Sequence, residues 1–178
     1  MKLIFLDIDG VLNSLEFYEE FYTKNKKPAS NDVDERLVKN LQTILKTTEA
    51  KIVFSSSWRF SFDYVGEVEK ELQVPEDTIL NYPSLVDKKQ KFINILKKYN
   101  IQILGRTGRR DDNQRGLEIL DWLKENKKQK QYQIENYIVI DDDTADIVPY
   151  IDEKHFVHTS FEKGLTEEKM NEAINKLC

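Results

Sequence analysis

Short apolar segments alternate with longer amphipathic ones along this chain, and that alternation constrains the fold more than any other feature. The apolar segments have the length and composition of buried strands. They are Leu3–Leu6, Lys51–Phe54, Ile101–Leu104, Tyr137–Ile140 and Phe156–Val157. Strands that alternate with helices predict a mostly parallel sheet covered on both faces. The predicted fold class is therefore α/β, a Rossmann-like three-layer sandwich with a minimal cap.

The segments between the strands carry apolar residues at helical spacing. After the first strand, Asn31 or Asp32 is predicted to cap a helix, and Glu35 follows Asp32 at capping-box distance. The apolar positions of this helix are Val33, Leu37, Leu41, Ile44 and Leu45. Further helices are predicted to begin near Ser61, Asp87, Asp112 and Thr166.

Size and composition limit the classes to which the protein can belong. With 178 residues, of which 39% are hydrophobic, the chain predicts one globular domain spanning 1–178. A net charge of -5 argues against a surface that binds polyanions by default, but not against a local basic groove. One cysteine and two histidines exclude an internal disulfide and argue against structural zinc. No apolar run approaches transmembrane length, which favours a cytoplasmic protein without a membrane partner.

Polar residues follow three of the predicted strands. They are Asp7 and Asp9, Ser55–Ser57, and Asp141–Asp143 with Asp146 one turn later. Because the carboxyl ends of parallel strands share one edge, where ligands bind in open α/β sheets, we expect these groups to meet. Clustered carboxylates repel each other, and a hard divalent cation, here Mg²⁺, offsets that repulsion. The alternatives are an Asp-Gly turn at Gly10 and an acidic turn that caps the segment after Asp141.

These residues resemble the motifs of the haloacid dehalogenase (HAD) superfamily over nearly the whole chain. Its first motif, Asp-x-Asp-x-Thr/Val after a strand, is matched by Asp7, Asp9 and Val11. Its second motif, a strand that ends in serine or threonine, is matched by Ser55. The resemblance implies that Asp7 is a nucleophile, that Asp9 is the general acid and base, and that Ser55 binds phosphoryl oxygens.

The fourth and third motifs depart from the usual pattern. In the fourth, often Gly-Asp-x-x-x-Asp, Asp142 and Asp146 take the acidic positions and Asp141 replaces the glycine. In the third, Arg115 stands where the family usually places a lysine. A cation in a first helical turn opposes the helix dipole, so Arg115 suits the neutralisation of a bound anion. The alternative cations are Lys91, Arg109 and Arg110.

The resemblance implies a Mg²⁺-dependent phosphomonoesterase that works through an aspartyl-phosphate. Family members that do not hydrolyse phosphate esters commonly lack an acid at the position of Asp9, so its presence favours a phosphatase. The implied metal ligands are Asp7, the backbone carbonyl of Asp9, Asp142, and either Asp146 or Asp143, directly or through water.

Substrate selection is the least specified property of the sequence. Residues 14–31 suffice for a small lid, and an open site of this kind admits large substrates such as a nucleic-acid end or a phosphoprotein. The lid carries Phe17, Tyr18, Phe21 and Tyr22, which either pack on the body of the domain or stack on a base. The candidate substrate-binding residues are Gly10, Ser56, Arg59 and Arg106.

The motif set is also similar to compact HAD domains associated with RNA-repair proteins. That similarity suggests nucleotides or nucleic-acid ends as the phosphorylated partner. Two other hypotheses stay open at this point: a phosphatase of small metabolites such as sugar phosphates, and a non-catalytic phosphate-binding module of the receiver kind.

Overall fold

One parallel sheet organises the domain. The computed structural model describes residues 1–29, 32–61, 83–127 and 132–178. Within these ranges the sheet has the order β3-β2-β1-β4-β5, and each neighbouring pair is parallel. The strands are β1 (Lys2–Leu6), β2 (Lys51–Phe54), β3 (Ile103–Arg106), β4 (Asn136–Asp141) and β5 (Phe156–His158). The predicted α/β class is confirmed.

Helices cover both faces of this sheet. Besides a lid helix α1 (Leu15–Asn25), they are α2 (Glu35–Thr48), α3 (Pro83–Lys98), α4 (Arg115–Asn126) and α5 (Glu167–Leu177). Side chains alternate between the two faces of a strand. Accordingly, Ile4 and Leu6 pack in one apolar cluster with α2, α3 and α5, whereas Leu3 and Phe5 pack in a second cluster with α4. Asp7 continues the alternation of Leu3 and Phe5 and therefore points to the α4 side.

The predicted N-cap of α2 is wrong by two residues or more. Asp34 is the cap, and its carboxylate accepts a hydrogen bond from the backbone N–H of Arg36 at 2.8 Å. The helix starts late because the Asp34 N–H donates to the carbonyl of Leu12 at 2.7 Å, which holds the incoming chain extended. Glu35 bonds to Lys98 and Tyr99 instead of completing a capping box.

Two other predicted helix starts differ from the structure. The third helix begins at Pro83 rather than Asp87, and Gln114, not Asp112, is the N-cap of α4. Thr166 does cap α5, as predicted, through a bond from the Lys169 N–H. Asn31 and the helix expected after Ser61 lie outside the described residues.

Strand β3 begins two residues later than the apolar run predicts. Asn100 adopts a left-handed conformation with φ 52, and the N–H of Ile101 bonds to the carbonyl of Leu96 at 2.8 Å. This is a Schellman-type end of α3, in which the residue after the turn packs back on the helix. Ile101 is buried for that reason, not because it lies in the sheet.

Candidate active site

The backbone ladder continues past the strand ends and aligns the site. The N–H of Asp7 donates to Ile140 O at 3.1 Å, and that of Ser55 donates to Leu6 O at 2.9 Å. The N–H of Thr107 donates to Phe54 O at 3.0 Å. Asp7, Ser55 and Asp141 thus form a row across the carboxyl edge, on the face that carries α4.

Three carboxylates meet at the centre of this row. Oxygens of Asp7, Asp141 and Asp142 all lie within 4.8 Å of one another, which makes them the group in the described residues that can hold a metal ion. Asp7 and Asp141 are buried and Asp142 is half-buried. Burial, and next the charge of Asp141, raise the pKa of Asp7 to about 7. Carboxylate oxygens are the ligands that hard divalent cations prefer, so the set fits such a cation.

Burial also raises the pKa of the two other acids in this group. For Asp141 the opposing effect comes from Arg115, whereas for Asp142 the charge of Asp141 adds to that of burial. All three carboxyls therefore resist ionisation in the absence of a bound metal cation.

Arg115 places a positive charge beside the acids of this row. It is the first residue of α4, and its Nη1 lies 2.7 Å from Asp141 Oδ2 and 3.3 Å from Asp7 Oδ1. Burial opposes its charge, but the two carboxylates outweigh burial and hold the pKa of Arg115 above its ordinary value. The alternative cations have other neighbours: Lys91 pairs with Asp32, and Arg110 pairs with Asp112 and Asp121.

Asp9 is held apart from the acidic group. Asn13 Nδ2 donates to its Oδ1 at 2.8 Å, and Trp58 Nε1 donates to its Oδ2 at 2.8 Å. Asn13 and Trp58 are both buried. The two acids of the first motif thus have different surroundings, although one residue separates them.

Gly10 permits the close approach of the first and fourth motifs. Its φ is +67, and a Cβ at this position would stand 2.2 Å from Asp142 Oδ2. Its N–H donates to Asn13 Oδ1 at 3.0 Å. The Asp-Gly sequence is therefore a turn, as one alternative held, and it also leaves room for an acid of the candidate metal group.

Two serines follow strand β2 on the side of Asp7. Ser55 is fully buried, and its Oγ has no hydrogen-bond partner in the described part of the chain. Ser56 is also fully buried; its hydroxyl bonds to Asp7, which lowers the pKa of that acid, and accepts a bond from the Trp58 N–H at 3.2 Å. Ser56, predicted to bind substrate, therefore contacts the predicted nucleophile.

The prediction that Arg59 binds substrate does not fit its position. The Arg59 side chain is 4% exposed and forms an ion pair with Glu118, which is 3% exposed. It also donates to the carbonyls of Ser55 and Ser56, each at 2.8 Å. Arg59 thus braces the loop that carries the two serines. Arg106 is half-buried and donates to the carbonyl of Arg59 at 3.0 Å.

The predicted acids of the fourth motif separate into two sets. Asp142 joins the central group, whereas Asp146 is absent from the group found among the described residues. Asp143 Oδ1 accepts bonds from the backbone N–H of Ala145 at 2.8 Å and of Asp146 at 3.3 Å. The alternative of an acidic capping turn therefore describes Asp143.

Two contacts of the site escaped prediction, those of Asn13 and Trp58 with Asp9. Asp141, which the sequence places among the clustered acids and at the glycine position of the fourth motif, also contacts Arg115. Asn13 and Trp58 lie within the segments that follow the first and second motifs, and their positions there were the available signal. The spacing of the motifs does not show which side chains reach Asp9.

The fold and the site together define a domain of the HAD class: a parallel sheet with an Asp-x-Asp after β1, a serine after β2 and acids after β4. The family model described as HAD domain in Swiss Army Knife RNA repair proteins matches residues 3–170, and the chain belongs to this family. Domains of the HAD class are generally hydrolases or phosphatases and typically use a divalent metal.

Two further comparisons gave no relatives. A search of curated proteins found no match, and a search of solved structures found none either. Among the described ranges, none of the helices combines the length and apolar character needed to span a bilayer.

Proposed function

We propose that this domain is a Mg²⁺-dependent phosphomonoesterase that forms an aspartyl-phosphate on Asp7. The observation that carries the proposal is the contrast between the two acids of the first motif. Asp7 lies among buried acids and Arg115, whereas Asp9 accepts hydrogen bonds from Asn13 and Trp58. Titratable groups kept in different environments are suited to different roles. Asp7 is the nucleophile and Asp9 the proton carrier.

The reaction has two balanced halves. In the first, a carboxylate oxygen of Asp7 attacks phosphorus, the bond to the leaving oxygen breaks, and Asp9 gives that oxygen its proton. In the second, water attacks phosphorus and passes a proton to Asp9, while the bond between phosphorus and the Asp7 oxygen breaks. Phosphate is released, and both acids return to their starting state.

Charge and hydrogen-bond donors hold the phosphoryl group during both halves. Arg115 stands against Asp7 and carries a guanidinium that can donate two bonds to phosphoryl oxygens. Ser55 Oγ is the second donor, because it is buried beside Asp7 in the strand register and has no partner among the described residues. Donors placed in this way stabilise the charge that develops in phosphoryl transfer.

The acidic group fits the expected cofactor. We assign Asp7, Asp142 and the backbone carbonyl of Asp9 as the groups that would hold Mg²⁺, with Asp141 holding Arg115 beside them. The bound ion supplies neutralisation of the carboxylates and of the phosphoryl oxygens. Asp146 and Asp143 are not needed as direct ligands.

The proposed substrate is a nucleotide or a phosphorylated nucleic-acid end. The family description names RNA repair proteins. A groove of about 510 Å³ is lined by apolar side chains that include Phe17, Phe21 and Phe92, and by the polar or charged residues Asp32, Glu35, Lys91, Asn94 and Lys98. Phe92 packs edge-on against Trp58, with ring centroids 5.7 Å apart, and the indole of Trp58 donates to Asp9. The indole ring of Trp58 therefore lies between Phe92 of this groove and Asp9. An aromatic base on the leaving-group side suits such a surface.

A phosphate-release assay tests the proposal. Nucleoside monophosphates, 3′- and 5′-phosphorylated oligonucleotides and sugar phosphates are compared with Mg²⁺ and after chelation. We expect Mg²⁺-dependent release, a preference for nucleotide substrates, and loss of activity in Asp7→Asn but not in Asp152→Asn, whose side chain is 78% exposed.

Three results contradict parts of the proposal. Full activity in Asp7→Asn overturns the mechanism. A strong preference for a sugar phosphate points to the small-metabolite phosphatase instead. A stable aspartyl-phosphate that never turns over points to the signalling module.

A further inference from the structure

We propose that Trp58 is a positioning residue for Asp9: with Asn13 it forms a clamp that fixes the carboxylate for proton transfer. This inference rests on the proposed function, since it concerns the acid–base step of the same reaction.

Each carboxylate oxygen of Asp9 has one side-chain donor of the clamp. Asn13 Nδ2 lies 2.8 Å from Oδ1, and Trp58 Nε1 lies 2.8 Å from Oδ2. The two donors belong to different parts of the fold, the turn after β1 and the 3₁₀ turn Ser57–Ser61 after β2. A carboxylate bonded at both ends cannot rotate about its Cβ–Cγ bond without losing a bond.

The orientation of Asn13 is itself determined by its contacts. Its Oδ1 accepts the Gly10 N–H at 3.0 Å, which requires the carboxamide nitrogen to face Asp9. Asn13 is 0% exposed, so it has little freedom to turn over. One face of the clamp is therefore locked to the backbone of the first motif.

Trp58 is held just as firmly. It is 2% exposed, its backbone N–H donates to Ser56 Oγ at 3.2 Å, and the ring of Phe92 packs edge-on against its indole, with centroids 5.7 Å apart. A side chain as large as tryptophan has little room to change its rotamer in a closely packed interior. The indole N–H is thereby aimed at Asp9 Oδ2.

Both donors suit a group that must gain and lose a proton. An indole nitrogen donates only, and the Asn13 nitrogen donates as well, so neither can take a proton from Asp9. The proton carried by Asp9 is left on the remaining lone pairs, from which it passes to the leaving oxygen and to which the attacking water returns it. The clamp sets this direction but touches neither the substrate nor the phosphoryl group.

The test compares three esters that share an aromatic ring. In 4-nitrophenyl phosphate the leaving group departs readily without a proton, in phenyl phosphate less so, and in benzyl phosphate departure requires protonation. The variant is Trp58→Phe, which removes the N–H and keeps an aromatic ring. The matched control is Trp122→Phe, because Trp122 is buried in the other apolar cluster against Phe5.

The value of kcat/KM covers the steps up to departure of the leaving group. Its change across the three esters therefore isolates proton donation by Asp9 to the leaving oxygen. We expect Trp58→Phe to lower kcat/KM by about tenfold to a hundredfold for benzyl phosphate and by less than about threefold for 4-nitrophenyl phosphate. The same variant should release a burst of nitrophenol, because hydrolysis of the aspartyl-phosphate needs Asp9 as a base. Trp122→Phe should show neither the selectivity nor the burst.

If Trp58→Phe does not fold, Phe92→Leu is the second variant. It removes the ring that holds Trp58 and keeps both donors, and we expect a smaller loss with the same order among the three esters. Equal losses on all three esters, or no loss, overturn the clamp while the phosphatase proposal stands. An unaltered protein that hydrolyses none of the three overturns the proposed function, and the clamp with it.

Discussion

Arg115 Nη1 lies 2.7 Å from Asp141 Oδ2, so the first residue of helix α4 contacts the last residue of strand β4. The same nitrogen lies 3.3 Å from Asp7 Oδ1. One guanidinium therefore joins the proposed nucleophile and an acid of the candidate metal group. Because Asp7 and Asp141 are buried, this cation is needed to offset their mutual repulsion.

Replacement of Arg115 tests this relationship. We expect Arg115→Ala to lower kcat/KM by about a hundredfold or more, because it removes charge stabilisation of the phosphoryl group. Arg115→Lys should retain part of the activity, since a point charge is kept while the second donor is lost. Steady-state kinetics on a nucleotide substrate measure the effect. Arg110→Ala is the control; Arg110 pairs with Asp112 and Asp121, and a loss equal to that of Arg115→Ala would contradict the assignment.

The pH dependence of stability follows from the raised pKa of Asp7. Burial is the main cause, and the pKa moves from 3.8 to about 7 in the folded protein. A carboxyl whose pKa is raised on folding contributes stability that is complete below its unfolded pKa and is lost as pH rises through its folded pKa. Without metal, we therefore expect stability to fall between about pH 4 and pH 7, by at most about 1.4 kcal/mol per pH unit from this group.

Thermal unfolding in a chelating buffer measures that slope. Asp7→Asn should flatten it in part, and the residual slope reflects Asp141, whose pKa burial raises in the same direction. Mg²⁺ should stabilise the protein more at pH 8 than at pH 5, since protons compete for the same oxygens. An unchanged slope in Asp7→Asn would contradict the assignment of the titration to Asp7.

The division of the fourth motif predicts different metal affinities. Asp142 belongs to the acidic group and Asp146 does not. We expect Asp142→Asn to weaken Mg²⁺ binding by about tenfold or more, a size typical of altered metal sites. Asp146→Asn should weaken binding less than Asp142→Asn does, because Asp146 lies outside the acidic group found among the described residues. Calorimetric titration with Mg²⁺ compares the two, and a larger effect for Asp146→Asn would restore the original expectation for the motif.

The buried position of Arg59 predicts a loss of stability on substitution. Its partner Glu118 is 3% exposed, so either single replacement leaves an uncompensated charge in the interior. We expect Arg59→Met and Glu118→Gln each to lower the free energy of unfolding by about 3–5 kcal/mol. Urea unfolding measures this, and the double variant should lose less than the sum of the two. A raised KM with unchanged stability would instead favour a substrate contact.

The sequence predicts the sheet well because its signal is local. Apolar runs mark β1, β2, β4 and β5 within one residue of their observed ends. The exception is β3, because Ile101 is apolar for the sake of a helix end and not for a strand. Apolar character alone does not show whether a residue belongs to a strand or to the end of a helix.

In the candidate site, too, the features set by local sequence were predicted and those set by distant residues were not. Asp7, Ser55 and Asp142 were predicted from motifs that follow strands, and topology brings such residues to one edge. Arg59 and Trp58 occupy the same short turn, yet one is an internal brace and the other reaches Asp9. The direction of each side chain depends on Glu118 and Phe92, which lie far away in the chain, so local pattern cannot decide it.

Helix α1 has a consequence for how substrate choice can change. It contributes no buried residue, and the N–H groups of Leu15 and Glu16 join it to the carbonyls of Phe161 and Glu162. Backbone hydrogen bonds of this kind do not depend on which side chains the helix carries. The side chains of α1 can therefore change at little cost to folding, and a library confined to its exposed positions would test whether this helix selects the substrate.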